Sequence, residues 1–153
     1  MLKILNRLEE EGLLKPVSKG VYFIGEKPVD EELIFDEYVD DGKGMFVGYQ
    51  LFNDVGISNY IDCKIEIYTN NIKSKQKSVW QYLMKRVDLE FDGDIVDLIA
   101  LLEIIDIGYS MKGCDFMAYK KTVDMLLKSY SDSSFEKIIK AIRYKLFYYK
   151  TIE

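Results

Sequence analysis

The sequence of 153 residues contains no histidine, and this absence limits its chemistry. It excludes catalytic groups of the Ser-His-Asp and Cys-His types, and zinc sites that use imidazole ligands. The usual general base near neutral pH is missing as well. The sequence has neither a P-loop nor a dinucleotide-binding glycine run, and no nucleophile has a partner base. We therefore expect a protein that acts by binding, with no cofactor and no metal, rather than an enzyme.

The sequence also has few cysteines, no long apolar run and no excess of basic residues. We interpret the two cysteines, Cys63 and Cys114, as free thiols in a reducing compartment. No segment has the roughly 18 consecutive apolar residues of a membrane-spanning helix, and the first residues lack a signal-peptide pattern. These features predict a soluble protein of the cytoplasm, without a membrane partner. Because the net charge is −5, contact with nucleic acid requires a local basic face.

The composition that remains is typical of a globular chain, with 48% apolar and 31% charged residues. A helix is predicted over residues 2–11, because leucines recur there at helical spacing. A β-hairpin follows, with its turn at residues 18–20. Residues 25–28 read as a linker. The chain is therefore predicted to divide into a module of residues 1–26 and a domain of residues 27–153.

The domain is predicted to begin with short helices and strands. In chain order, these are a helix over 29–38, a turn over 40–44, an apolar run over 45–47, a helix from about 48 that stops at 56, a strand over 62–69 and a polar loop or hairpin end over 70–78. Along the strand, alternation places Cys63, Ile65 and Ile67 on one face and the residues between them on the other. Residues 79–91 predict one or two further strands, with a helix as the alternative for 79–86.

Three helices are predicted in the last third of the chain. The first runs over 94–107 with Asp94 as its N-cap, and the second over 115–129. The third begins at the capping-box spacing of Ser133 and Glu136 and continues through Leu146. The predicted apolar stripe of the second helix consists of Phe116, Tyr119, Val123, Leu126 and Leu127. The fold class is thus predicted to be α+β, with a partial winged helix, a small mixed sheet with helices, and a C-terminal helical group.

Two sets of residues resemble a known family. The pattern Leu5-x-x-Leu8-x-x-x-Gly12-x-Leu14-x-x-Val17-x-x-Gly20-Val21-Tyr22 resembles the last helix and the wing of a winged helix-turn-helix. The later segments are Gly44-Met45-Phe46-Val47-Gly48-Tyr49-x-Leu51-Phe52-Asn53-x-x-Gly56-Ile57 and Lys64-Ile65-Glu66-Ile67-Tyr68-Thr69-Asn70. In this order they resemble the AbiEi-type antitoxins of type IV toxin–antitoxin and abortive-infection systems. The resemblance covers roughly residues 2–91.

The resemblance implies a cytoplasmic bacterial protein with two roles. It would repress its own operon through the winged helix and oppose a toxin of nucleotidyltransferase type. A complete winged helix has two helices before the recognition helix, whereas Met1 falls inside that helix here. Three explanations stay open: a shortened gene product or start site, completion of the module by another chain, and loss of DNA binding. In the last case, the chain would be a protein-interaction module of the same family, with a homodimer or another protein as its partner.

The predicted contacts with operator DNA lie on the first helix and the wing. They are Lys3, Asn6, Arg7, Lys15 and Lys19. The helix residues would reach bases or phosphates, and the two wing lysines would contact phosphates. The alternative is a solvated helix face, which the three glutamates at 9–11 favour because they repel DNA.

A second candidate surface is a phosphate or nucleic-acid face that follows the predicted strand 62–69. Its residues are Lys73, Lys75, Lys77, Lys85 and Arg86. Between residues 64 and 86 only Glu66 opposes these charges. The alternative is a solvated hairpin end, since lysines also protect strand edges from aggregation. Asp92, Asp94 and Asp97 are interpreted as helix-capping and first-turn carboxylates, and not as a metal site.

Overall fold

The first element is a helical segment at the N-terminus. The computed structural model describes residues 4, 7–8, 10–11, 13–18, 21–24, 31–129 and 131–142. Among these, the backbone is helical at residues 4, 7, 8 and 10. The Glu11 N–H donates a hydrogen bond to the Arg7 carbonyl at 2.9 Å, as expected for a helical turn. Of the residues predicted here, Lys3 and Asn6 lie outside the described part of the chain.

An antiparallel hairpin follows the helical segment. Strand β1 (Leu14–Ser18) pairs with strand β2 (Val21–Ile24), and the register shifts between Pro16 and Ser18. This pair is a two-stranded sheet of its own, and proline is tolerated in such an edge position. The predicted hairpin is confirmed. Strand β1 lies beside a later strand, Gln76–Val79, so the hairpin adjoins the rest of the fold.

The second sheet has four strands and mixed direction. Its elements in chain order, with the two helices that accompany them, are α1 (Glu31–Tyr38), β3 (Gly44–Val47), α2 (Tyr49–Asp54), β4 (Ile65–Thr69), β5 (Gln76–Val79) and β6 (Tyr82–Arg86). The strand order is β3-β4-β6-β5. Strands β4 and β6 are parallel, while β3 with β4 and β5 with β6 are antiparallel. The α+β class predicted from the sequence is confirmed.

The stretch from residue 70 to 86 confirms part of its prediction. Strand β6 lies in the segment predicted as strand, so the helical alternative for 79–86 is wrong, and strand β5 begins at Gln76, inside the segment predicted to be a polar loop or hairpin end. The polar composition gave no strand signal, because β5 is an edge strand in which Gln76 and Ser78 are exposed. Trp80 forms the tight turn between β5 and β6 with φ of 54°. A positive φ lies outside the right-handed helical region, so a helix cannot run through Trp80.

The sheet is covered on both faces. Ile67 and Met84 are fully buried in a cluster that lies between the sheet and α1. Val47 and Tyr68 face the other way and pack in a larger cluster with the C-terminal helices. The alternation predicted for β4 is confirmed within the strand, but Cys63 precedes the strand and is exposed.

Three helices follow the sheet, and the first of them begins directly after Asp92. They are α3 (Gly93–Ile107), α4 (Phe116–Leu126) and α5 (Asp132–Ala141), with a 3₁₀ turn over Gly108–Ser110 after α3. The N-cap of α3 is Asp92 and not Asp94, because the extended backbone at Asp92 lets its carboxylate accept from the Ile95 N–H at 2.9 Å. Ser131 caps α5 in the same way, ahead of the predicted Ser133.

The structure also corrects a prediction about the length of α5 and a prediction about burial in α4. Helix α5 was predicted to continue through Leu146, but it ends at Ala141 and the backbone of Ile142 is extended. Leu146 itself lies outside the described residues. In α4 Leu126 is buried, but Phe116 is 59% exposed and Leu127 is 48% exposed. Both lie at the ends of the helix, where the packing against α3 no longer covers them. In the part of the chain that the structure describes, no helix is long and apolar enough to cross a membrane.

Candidate functional site

The lysines of the second candidate surface lie on a loop and strand that the fold holds in place. We call Lys73, Lys75 and Lys77 the lysine edge. The Arg86 Nη1 donates to the Lys73 carbonyl at 3.2 Å, and the Arg86 backbone N–H donates to the Lys75 carbonyl at 2.9 Å. Ser74 Oγ donates to the Gln76 carbonyl at 2.8 Å, which closes the turn into β5. The backbone between β4 and β5 is therefore fixed by β6.

Lys73 and Lys77 line an open groove of about 820 Å³ between α1 and β5, and Lys75 lies between Ser74 and Gln76, which also line it. Lys77 Nζ donates to the Tyr38 hydroxyl at 2.9 Å and lies 5.3 Å from the centre of its ring. Lys73 and Lys75 are exposed, and neither has an ion pair among the described residues. Glu37 is the one carboxylate among the residues that line the groove, and it accepts from Asn71 Nδ2 at 3.3 Å.

The other two basic residues predicted for this surface differ in position. Lys77 pairs with Met84 across the β5–β6 ladder and faces α1. Because successive side chains on a strand alternate, Lys85 lies on the opposite face, where its Nζ is 2.6 Å from Glu66 Oε2. Arg86 Nε pairs with Asp88 Oδ1 at 2.7 Å and supports the loop, as described above. The structure therefore separates Lys85 from the predicted face, whereas Arg86 lies beside the lysine edge, with its guanidinium on the Lys73 carbonyl and on Asp88.

The predicted DNA contacts at the N-terminus are only partly described. Arg7 Nε pairs with Glu11 Oε1 at 2.9 Å, and the Arg7 side chain is 79% exposed. Lys15 lies within strand β1. Lys3, Asn6 and Lys19 lie outside the described residues. Arg7 thus lies one helical turn before the glutamate that pairs with it, and it is still open to solvent.

A cleft on the opposite face of the sheet was not predicted from the sequence. It has a volume of about 380 Å³ and lies between β4, α2 and α3. The charged residues that line it are Asp62, Lys64, Glu66, Glu103 and Asp106. Carboxylates outnumber the single lysine, so the cleft disfavours an anion such as phosphate. In this respect it contrasts with the lysine edge.

Glu103, which lines the cleft, accepts a hydrogen bond that joins α3 to β4. The Tyr68 hydroxyl donates to Glu103 Oε1 at 2.8 Å. Burial raises the pKa of the Glu103 carboxyl, and the hydrogen bond from Tyr68 offsets only part of that increase. Burial, and then the neighbouring charge of Glu103, raise the pKa of Tyr68 well above its usual value. The phenol therefore stays protonated and serves as a permanent donor.

This cleft offers carboxylates and, at Ser110, a hydroxyl that donates to the Ile107 carbonyl at 2.6 Å. Neither residue of the Tyr68–Glu103 pair carries a sequence signal beyond its place in a strand or a helix, and they lie 35 residues apart in the chain. Within the described ranges, no group of three or more acidic, histidine or cysteine residues is placed to hold a metal ion.

The residues that carry the family resemblance meet where β3 joins β4. A Cβ at Gly44 would overlap the carbonyl oxygens of Tyr38 and Tyr68. The buried Thr69 hydroxyl donates to the Lys43 carbonyl at 2.9 Å, and Asn70 Nδ2 donates to the Leu89 carbonyl at 2.8 Å. Gly44, Thr69 and Asn70 therefore position the backbone around the sheet.

Comparisons of this chain with family models, with curated proteins and with solved structures give no match.

Proposed function

We propose that this chain is a DNA-binding regulator of the antitoxin type, which represses its own operon through the N-terminal helix and hairpin. The observation that carries the proposal is the order of these elements. A helical turn that contains Arg7 is followed, after Leu13, by the antiparallel pair β1 and β2. In a winged helix-turn-helix, a recognition helix enters the major groove and a hairpin wing follows it.

Arg7 is the described side chain best placed for such a contact. An exposed ion pair at i,i+4, such as Arg7 with Glu11, contributes only about 0.3–0.5 kcal/mol. An arginine that pairs bidentately with a guanine edge contributes about 1–3 kcal/mol of discrimination. We therefore expect Arg7 to exchange its ion pair with Glu11 for a contact with DNA. Lys15 and Lys19 belong to this proposal as phosphate contacts of the wing.

The antitoxin role rests on the resemblance of residues 2–91. In this proposal the chain acts in the bacterial cytoplasm and antagonises a toxin of nucleotidyltransferase type. Co-expression with a toxin encoded beside this gene tests that role: growth is expected to recover with the chain and not with an empty vector. Continued arrest with the chain present at normal abundance contradicts the antitoxin role.

A second candidate function is a protein-interaction module of the same family that has lost DNA binding. The observation that favours it is a group of exposed apolar side chains on and after α4. Besides Phe116 and Leu127, Met117 is 80% exposed and Met125 is 61% exposed. Exposed methionines are typical of adaptable protein-binding surfaces. This module would bind another protein or form a homodimer through α4.

Fluorescence anisotropy with the DNA upstream of the gene separates the two functions. The wild-type chain is expected to bind this duplex more tightly than a scrambled duplex, with an affinity that falls as salt increases. Arg7→Ala should weaken binding to the native duplex by about 1–3 kcal/mol and reduce its preference over the scrambled one.

Lys140→Ala is the matched control. It also removes one positive charge from an exposed i,i+4 pair, here with Glu136 at 3.9 Å. The control should bind both duplexes as the wild type does. Equal binding of the wild type to both duplexes, or an Arg7→Ala variant that behaves like Lys140→Ala, would contradict operator recognition by the helix. Loss of DNA binding altogether, with a stable dimer in solution, favours the interaction module.

A further inference from the structure

We propose that the lysine edge is a second contact surface for duplex DNA, which binds the phosphate backbone beside the hairpin. The identity of the partner rests on the proposed function, because the hairpin is the part assigned there to DNA. The contact itself is sequence-independent and does not require operator recognition.

The charge of the chain is divided between neighbouring segments. From residue 63 to 86 there are six basic residues and one acidic residue: Lys64, Lys73, Lys75, Lys77, Lys85 and Arg86 against Glu66. From residue 87 to 106 there are seven acidic residues and no basic one: Asp88, Glu90, Asp92, Asp94, Asp97, Glu103 and Asp106. Of the basic set, the structure places Lys64 and Lys85 on the acidic cleft or paired within it. The cations that remain open to a partner are concentrated on the lysine edge.

The surface is held in shape before any ligand arrives. Arg86 binds the carbonyls of Lys73 and Lys75, so that the loop backbone is already ordered. Binding would then not have to order the loop backbone, and the ordering cost at this surface would fall on the lysine side chains. Ser78 lines the same groove and supplies a hydroxyl donor of the kind that contacts phosphate oxygens, whereas the Asn71 amide and the Ser74 hydroxyl donate within the protein, to Glu37 and to the Gln76 carbonyl.

The groove favours a phosphate backbone over unpaired bases. Proteins that bind single strands stack bases on exposed aromatic side chains. The aromatic residue of this groove is Tyr38, which is 3% exposed and lies under Lys77. Bases would find no ring to stack on, whereas phosphates would find cations and donors. The chemistry of the groove therefore fits a duplex.

The position of the hairpin supports the same partner. Strand β1, which contains Lys15, lies beside β5, which contains Lys77. A duplex that meets the hairpin therefore passes near β5, and the lysine edge extends the contact along its backbone. Such contacts fix the orientation of a protein on DNA without reading its sequence.

The test is the double variant Lys73→Ala/Lys75→Ala in the full chain. Lys77 is kept because it bonds the buried Tyr38. Each lost phosphate contact lowers the slope of log affinity against log salt concentration by about 0.9. For two contacts, the fall in affinity between about 50 mM and about 200 mM salt becomes about twelvefold smaller. The same change is expected on the native and the scrambled duplex.

Two control variants accompany it. Lys120→Ala/Lys121→Ala removes the same charge from exposed positions on α4, so its slope should equal that of the wild type. Lys73→Arg/Lys75→Arg keeps both charges and should also keep the slope. Circular dichroism establishes that all three variants are folded.

The outcomes separate this inference from the proposed function. A reduced slope on both duplexes supports the lysine edge, even where the wild type shows no preference for the native duplex and operator recognition fails. An unchanged slope in Lys73→Ala/Lys75→Ala overturns the lysine edge, while a preference for the native duplex leaves the repressor standing. An equal reduction in the α4 control also overturns it, because net charge alone then explains the effect. Binding to a single-stranded oligonucleotide with no binding to duplex overturns the assignment to duplex DNA.

Discussion

Replacement of Gly44 by alanine tests the point at which α1, β3 and β4 meet. The new Cβ would overlap two carbonyl oxygens, those of Tyr38 and Tyr68, and would lie 3.0 Å from the Thr69 Cβ. Both oxygens belong to backbone, one at the end of α1 and one in β4, so rotation of a side chain cannot relieve the overlap. Relief requires a shift of β3 against β4, which weakens their ladder.

The expected cost of this change is large for a single methyl group. Overpacking in a well-packed core costs about 1–3 kcal/mol, and an overlap with two rigid backbone groups places Gly44→Ala at about 3 kcal/mol or more. In a chain of this size, 1 kcal/mol lowers the melting temperature by about 2–4 °C. A decrease of about 6–12 °C is therefore expected in a thermal melt followed by circular dichroism.

The matched control is Gly93→Ala at the start of α3. A Cβ there would meet no atom within 4 Å, and the position is helical. Alanine favours a helix over glycine by up to about 1 kcal/mol, so this variant should be as stable as the wild type or slightly more stable. If Gly44→Ala melts within about 1 °C of Gly93→Ala, the reasoning on the close approach of these three elements fails.

Two further predictions concern the cleft and the first turn of α3. Because burial raises the pKa of Glu103 in the folded protein above its unfolded value, ionisation costs stability as pH rises from the unfolded pKa through the folded one. Glu103→Gln keeps an acceptor for Tyr68, so in urea titrations its stability relative to the wild type should be higher at neutral pH than at about pH 4; an opposite trend contradicts the burial argument. Asp92→Ala should lower the free energy of unfolding by about 1 kcal/mol, because the Ile95 N–H loses its acceptor. Asp94→Ala in about 0.2 M salt should cost less than about 0.5 kcal/mol, and equal costs for the two variants would refute the assignment of the cap.

Local patterns predicted most of the elements near the middle of the chain. The spacing of apolar residues indicated α1, and alternation indicated β4, because burial on one face imposes a period that is visible in the sequence. The stop at Gly56 was predicted as well, and its φ of 74° is a conformation that glycine adopts without strain. Boundaries were less predictable. Asp92 and Asp94 are both suitable caps by type, and only the backbone conformation at Asp92 distinguishes them.

The sequence by itself determined the α+β class, the hairpin, the absence of histidine chemistry and the excess of lysine between residues 64 and 86. Only the tertiary structure decided which of these lysines share a surface. The β5–β6 ladder places Lys77 opposite Met84 and beside α1. Lys85 follows Met84 along β6 and therefore lies on the opposite face, because successive side chains of a strand alternate. It also decided that β6 pairs in parallel with β4, and that Tyr68 meets Glu103 across 35 residues. Pairings at that separation depend on how strands and helices pack together, and a local period in the sequence carries no information about them.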